Sequence, residues 1–333
     1  MSTSNKKMWV FIIVMLVVTV LLLLLFIIVP RVVVRQITNY EPYTFSSVLD
    51  YDSMRIDYGI YENNHPSDYG FTTVENIDFK SFYDNTQLNG WYIPSRQPSD
   101  HCIIFVHGRT SNRLKAMKYL ALIDSLDLDE NYNIFIPDLR NSGKSESTKT
   151  YMGYKFAEDL LGAATTMNND KGQNSIVLYG FSMGGMAIQE LIGNPKLKKE
   201  LDKENITVDR IILDSPLSNV KETLWVSSKE LKLPRFIFDK AWEIFNRAIE
   251  GEGDNMRLSH LLRKTSLPIL ILQSHDDHTT PDFMLRTELD ILGPKDNLQV
   301  IYFSGTEHVR TYQDPDKMQQ YIDAVHDFFS DMQ

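Results

Sequence analysis

The chain has 333 residues with 34 basic against 44 acidic side chains, a formal charge of -10, and this length suits one large or two modest domains. No long basic tract appears, which argues against a nucleic-acid partner. The single cysteine, Cys102, excludes an intramolecular disulfide framework and a Cys-based zinc site, and its apolar neighbours mark it as a buried structural thiol.

Residues 8–29 are almost uninterrupted hydrocarbon, MWVFIIVMLVVTVLLLLLFIIV. At a rise of about 1.5 Å per residue, such a run is long enough to cross a bilayer as a helix. Pro30-Arg31 follows without a small-residue cleavage pattern, so the run reads as an uncleaved signal anchor. Lys6 and Lys7 oppose Arg31 and Arg35, which nearly balances the positive-inside count. The short tail stays cytoplasmic more easily, and the larger domain is expected on the extracellular side of the cell membrane. Residues 30–67 read as a juxtamembrane connection, with some helix around 46–58.

Residues 70–80 and 87–94 are expected to form two antiparallel strands joined through Tyr83-Asp84-Asn85-Thr86. The apolar run 101–106 ends in His107-Gly108-Arg109-Thr110, after which Ser111 or Asn112 could cap a helix carrying Leu114, Met117 and Leu120. Strand patterns recur at 132–137, 175–179, 210–213, 267–273 and 298–303, with helices at 154–167 and 316–329. Apolar strands alternating with helices predict an α/β fold, a mostly parallel sheet of about eight strands with helices on both faces. Residues 68–333 would form this domain. Residues 217–266 interrupt it with helical patterning at 220–229 and 236–249, a small helical cap. Trp225, Phe236, Phe238, Trp242 and Phe245 suit an apolar substrate surface or the cap's own core equally well.

The chemistry centres on Gly180-Phe181-Ser182-Met183-Gly184, which follows a strand and opens a helix. That context is the one a nucleophile elbow requires. Gly180 and Gly184 leave room for the crossing chain, and the helix N-terminus favours developing negative charge at Ser182. Acyl transfer also needs a base and an acid to orient it. His308 follows the last strand in a short Gly305-Thr306-Glu307 loop and comes after both the serine and an acid, the chain order of this elbow class. Asp277, four places before Pro281, is the favoured acid, with Asp214 and Asp276 as alternatives. Main-chain N–H groups of Met183 and Arg109 would form the oxyanion hole, and Gly108 would let that loop approach the substrate. The Arg109 side chain could hold a carboxylate or phosphate or point to solvent. His275, Asp276, Asp277 and His278 resemble a metal-ligand set in composition, yet neighbours in a short loop seldom converge on one ion. No metal or other cofactor is expected.

Several of these segments together resemble the α/β-hydrolases, in particular their membrane-anchored, Bem46-like and serine-aminopeptidase-like members. The segments are Leu88-Asn89-Gly90-Trp91-Tyr92-Ile93-Pro94, His107-Gly108, Asp138-Leu139-Arg140 with Gly143 and Ser145, the elbow itself, Leu213-Asp214-Ser215-Pro216, Asp277 with Pro281, and Gly305 with His308. The similarity runs from about Asp68 to the C-terminus. It departs at Asn141-Ser142, where Gly-His is usual, and at Ser274, where glycine is common; neither removes a catalytic group. The resemblance implies a serine hydrolase with Ser182, His308 and Asp277 as its triad, and makes Asp214 a family feature rather than the usual acid. The expected substrate is a small acyl ester, a lipid or a short peptide, with membrane lipid around the N-terminal helix. A serine aminopeptidase or amidase of the same fold, selecting a free amine, and a non-catalytic anchored binding domain are the competing expectations.

Overall fold

The computed structural model describes residues 3–49 and 65–330. One sheet carries eight strands: β1 (Glu75–Lys80), β2 (Gln87–Ile93), β3 (His101–Val106), β4 (Asn133–Asp138), β5 (Ser175–Phe181), β6 (Thr207–Asp214), β7 (Ile269–Ser274) and β8 (Leu298–Phe303). Their order is β1-β2-β4-β3-β5-β6-β7-β8. β1 pairs antiparallel with β2, and β2 antiparallel with β4, while every later pairing is parallel. Strands β4 and β7 are buried along their whole length. That is why Ile134-Phe135-Ile136 and Ile269-Leu270-Ile271-Leu272 read as continuous apolar runs: a strand covered on both faces has no solvent side to make polar.

The two faces follow from side-chain alternation along each strand. Ile103 and Phe105 of β3 and Val177 and Tyr179 of β5 pack with Tyr119, Leu120 and the closing helix residues Tyr321, Val325 and Phe328. Helices Tyr154–Lys171 and Met183–Gly193 pack on the opposite face. An aromatic column runs through the first layer, with Tyr119 stacked on Phe181 at 4.5 Å between ring centroids.

Three expected boundaries move for local reasons. β1 begins at Glu75 rather than near 70, because Pro66–Tyr69 forms a 3-10 turn that Gly70 closes at φ 88°. β6 begins at Thr207, where its polar first residues hide the strand pattern. The helix expected over 46–58 is seen as Phe45–Leu49, and its remainder lies outside the described residues.

The chain divides into two compact units, Met1–Tyr40 with Lys221–Asp254, and Glu41–Val220 with Asn255–Gln333. The second unit holds the sheet. In the first, one helix runs from Asn5 to Thr38 over 34 residues, long and apolar enough to cross a membrane. It continues past Pro30, where a break would be expected, because residues Leu24–Ile28 adopt a π turn. The proline has no N–H to give to Phe26, and the wider turn spreads that loss, with Val29 N–H reaching back to the Leu24 carbonyl. The Arg31 side chain then donates to the Ile27 carbonyl at 2.8 Å.

Helix Arg235–Ala248 packs against the Val29–Thr38 segment of that long helix. Its residues Phe238, Trp242 and Phe245 are buried, with Trp242 stacked on Phe245 at 5.3 Å and Trp225 against Phe238 at 5.0 Å. Of the five aromatics of residues 217–266, these three therefore build the unit's own core, while Phe236 remains 45% exposed.

Candidate active site

Strand β5 delivers Ser182 to the carboxyl end of the sheet, and the helix Met183–Gly193 begins at once. Ser182 is held at φ 53°, ψ -120°, a backbone conformation unfavourable for any residue with a Cβ. Hydrogen bonds from both sides hold it there. Its N–H donates to the Asp214 carbonyl at 3.0 Å, and its own carbonyl accepts from Gly185 and Leu217 N–H, each at 3.0 Å. The sharp bend needs an adjacent helix pressed onto β3. A Cβ on Gly184 would sit 2.0 Å from the Val106 carbonyl oxygen, so no other residue fits that position without displacing backbone.

Gly108 lies directly against the serine. A Cβ there would come 2.9 Å from Ser182 Cβ and 3.4 Å from its Oγ. The loop that follows β3 is fixed from below by His107, which sequence reasoning treated only as part of a turn. Its Nε2 accepts from the Leu139 N–H at 2.9 Å and its Nδ1 lies 2.8 Å from the Gly108 carbonyl. Those two bonds require a neutral ring with the proton on Nδ1, and burial lowers the imidazole's pKa in the same direction.

His308 arrives on the loop after β8. Its Nδ1 lies 2.7 Å from Asp277 Oδ2, leaving Nε2 as the nitrogen for any further proton transfer. Asp277 is fully buried at its side chain. Burial works to raise its pKa, but the bond to His308, with those from Thr280, outweighs it and holds the carboxyl below its usual value. Asp277 Oδ1 accepts from the N–H groups of Thr279 at 2.8 Å and Thr280 at 2.9 Å, and Oδ2 from Thr280 Oγ1 at 2.9 Å. The carboxylate is thus fixed by a tight turn as well as by the imidazole. The Ser215 carbonyl, 3.0 Å from Thr280 Oγ1, competes with Asp277 Oδ2 for that single hydroxyl proton, and His308 Nδ1 lies 3.3 Å from the same oxygen, so Thr280 sits between the loop of Asp277 and the end of β6.

The other acids are engaged elsewhere. Asp276 Oδ2 accepts from the Gly305 N–H at 2.6 Å and so braces the loop that carries the histidine. The Asp214 carboxylate accepts from Tyr119 at 2.9 Å, Tyr321 at 2.7 Å and Ser215 at 3.0 Å, and burial raises its pKa. His275 pairs with Asp282 at 2.8 Å and stacks on Tyr302. Among the described residues, no group of three such side chains could hold a metal ion.

Ser182 and His308 line one cavity of about 70 Å³, together with His107, Gly108, Arg109 and Val309 among others. Met183 is the first residue of its helix, and an N–H at that position has no partner within the helix. Arg109 is in the wall of the same cavity, with its guanidinium 3.9 Å from the Met152 sulfur.

A second serine, histidine and aspartate meet at the amino end of the sheet, where the order of contacts differs. Ser175 Oγ and Asp209 Oδ2 both approach His101 Nδ1, at 2.8 Å and 3.3 Å, and Ser175 donates directly to Asp209. The imidazole there does not stand between hydroxyl and carboxylate, so it cannot pass a proton from one side to the other.

Residues 102–221 match the family described as the alpha/beta hydrolase fold. The chain is 25% identical over 248 residues to the uncharacterized protein YfhR of Escherichia coli K12, covering 73% of this chain and 76% of that one. It is 23% identical over 254 residues to the lysophosphatidylserine lipase ABHD12 of Rattus norvegicus, covering 73% of this chain and 60% of the relative. Among solved structures, the Pyrococcus furiosus esterase Pf2001 superimposes with a TM-score of 0.61 at 22% identity, over 81% of this chain and 97% of the esterase. The Est2 esterase of Thermogutta terrifontis, solved with butyrate bound, gives 0.55 at 17% identity over 76% and 93% of the two chains.

Proposed function

With membership of the α/β-hydrolase superfamily well supported and the fold shared with several esterases, we propose that this chain is a membrane-anchored serine hydrolase that cleaves a carboxylic ester through Ser182, His308 and Asp277. The observation that carries the reading is the 2.7 Å bond between His308 Nδ1 and the buried Asp277 carboxylate, in a histidine that lines the same cavity as a strained Ser182. In this reading Ser182 Oγ attacks the carbonyl carbon as its proton passes to His308 Nε2. The carbonyl oxygen takes the negative charge between the Arg109 and Met183 amides. Collapse breaks the bond to the leaving alcohol, which receives the proton from His308. Water then attacks the acyl-enzyme by the same path and frees the acid. Asp277 holds the imidazole in the tautomer with its proton on Nδ1 and stabilises the imidazolium.

The 34-residue helix supports an anchor in the membrane, and in this reading the catalytic domain lies on the extracellular side. A relative named as a lysophosphatidylserine lipase favours an acyl lipid as the ester. The test is a fluorophosphonate probe on the full chain, followed by turnover of short and long acyl esters against aminoacyl amides. Labelling that disappears in Ser182→Ala, with ester turnover lost beside it, is the expected result. Ester turnover by Ser182→Ala at the parent rate would end the proposal. Protease shaving of intact cells checks the orientation, since protection of the catalytic domain would reverse it.

A further inference from the structure

The turn between the helices Val220–Glu230 and Arg235–Ala248 carries Leu231-Lys232-Leu233-Pro234 at its tip. Leu231 is 80% exposed, an extreme value for a leucine, and Phe236 beside it is 45% exposed. The turn is ordered by main-chain bonds from Leu231 to Ser227, Lys232 to Lys229 and Leu233 to Ser228. An ordered turn that presents both leucine and phenylalanine outward is a surface on which an apolar surrounding would be favourable.

The contact that supplies it is within the same unit. The Phe236 ring lies 5.2 Å from the ring of Phe26. Phe26 belongs to the apolar run 8–29, three residues from its end, so a straight helix would set it about 4.5 Å inside the hydrocarbon boundary. Interfacial segments bury their apolar faces to about 5–10 Å, so Phe26 lies close to the shallow end of that range. The charges around the tip suit the headgroup layer. Lys229, Lys232 and Arg235 stand around the tip against Glu230 and Asp239, Lys240 being paired with Glu243, and Arg31 and Arg35 follow the apolar run on the long helix. Lys229 lies 5.0 Å and the Arg235 guanidinium 4.5 Å from the Trp225 ring, a pairing of basic and indole groups typical of the membrane interface.

We propose that the Leu231–Phe236 tip is inserted in the bilayer beside the anchoring helix, with Leu231 and Phe236 in the hydrocarbon and the basic side chains at the headgroups, so that the enzyme takes a bilayer-borne ester. The proposal rests on the membrane-anchored hydrolase reading. The anchoring helix alone would tether the chain, whereas the tip makes a second, separate contact with lipid.

The test uses the full chain with Leu231→Cys, labelled with a polarity-sensitive fluorophore and reconstituted in phosphatidylcholine–phosphatidylglycerol vesicles. Cys102 is buried, so the unlabelled parent is the control for specific attachment. Nitroxides on the lipid acyl chains should quench the label, with a blue-shifted emission. A label that stays unquenched, whether facing water or shielded by a second copy of the chain, overturns the proposal. In the second arm, Leu231→Glu with Phe236→Glu should hydrolyse a dissolved short ester within about twofold of the parent. Its rate on an ester carried in vesicles should fall about tenfold. Equal losses on both substrates, or none on either, would also overturn it. Quenching at Leu231→Cys without fluorophosphonate labelling at Ser182 would remove the hydrolase reading and leave the lipid contact standing.

Discussion

Gly108→Ala probes the close approach at Ser182. Gly108 does not have a positive φ, so alanine can adopt its backbone, and the whole effect comes from the added methyl. That methyl would lie 2.9 Å from Ser182 Cβ and 3.0 Å from the Phe181 carbonyl oxygen. Carbon atoms normally rest about 3.5–4.0 Å apart, so the loop or the serine must retreat by about 0.6–1 Å. The serine is the harder of the two to move, since three main-chain hydrogen bonds fix it, and the loop is pinned through His107. Misplacement by about 1 Å costs on the order of 100-fold in rate, or about 2.7 kcal/mol in the barrier. Overpacking should also lower stability by about 1–3 kcal/mol. The assay is single-turnover acylation by a p-nitrophenyl ester, with the folded fraction matched by circular dichroism. Acylation within about threefold of the parent, with an unchanged melting temperature, would refute the argument that this contact is tight.

Asp277→Asn should lower kcat by about 10³–10⁴-fold, since the amide cannot keep the imidazole in its tautomer; steady-state ester hydrolysis reads it directly. The same acid predicts a pH dependence. Its carboxyl titrates below the unfolded value of about 3.9, so its contribution to stability is complete above that pH and is lost as pH falls through the folded value. In urea titrations, the stability gap between parent and Asp277→Asn should be flat from about pH 5 to 7 and narrow below about pH 4. Asp214→Asn should behave in the opposite way, losing about 1–3 kcal/mol of stability because the new amide group meets the Tyr119 and Tyr321 hydroxyls, with kcat per folded molecule reduced far less than by Asp277→Asn. Arg140→Met strips the buried partner from Asp159, which it contacts at 2.7 Å, and should cost about 3–5 kcal/mol in chemical denaturation.

The strands and the serine turn were legible because their signals are local. A parallel strand buried on both faces leaves an apolar run, and a strand-to-helix bend of this sharpness leaves glycine at 180 and 184. Asp277 was separable from Asp276 by its spacing to Pro281, and the two carboxylates do point to different partners, His308 and the Gly305 N–H. What the chain concealed depends on distant partners. Nothing around His107 says that its ring will be clamped between Gly108 and Leu139, because the second of these belongs to a different strand's end. The helical continuation past Pro30 was hidden because a proline reads as a stop, whereas here a π turn precedes it. Phe238 and Phe245 could not be assigned to a core while the long N-terminal helix was not known to lie beside their own helix.

The excursion that leaves the sheet after β6 has its two ends joined. Val220 N–H donates to the Met256 carbonyl at 3.1 Å, and Asn219 forms a β-bridge with Arg257. A stretch whose entry and exit are already stitched together is modular: its length can grow, shrink or be exchanged with little loop-closure entropy at stake. A Gly-Ser bridge across these neighbours should leave the remaining sheet able to fold, and the same doorway would accept an exchanged segment without reopening the sheet.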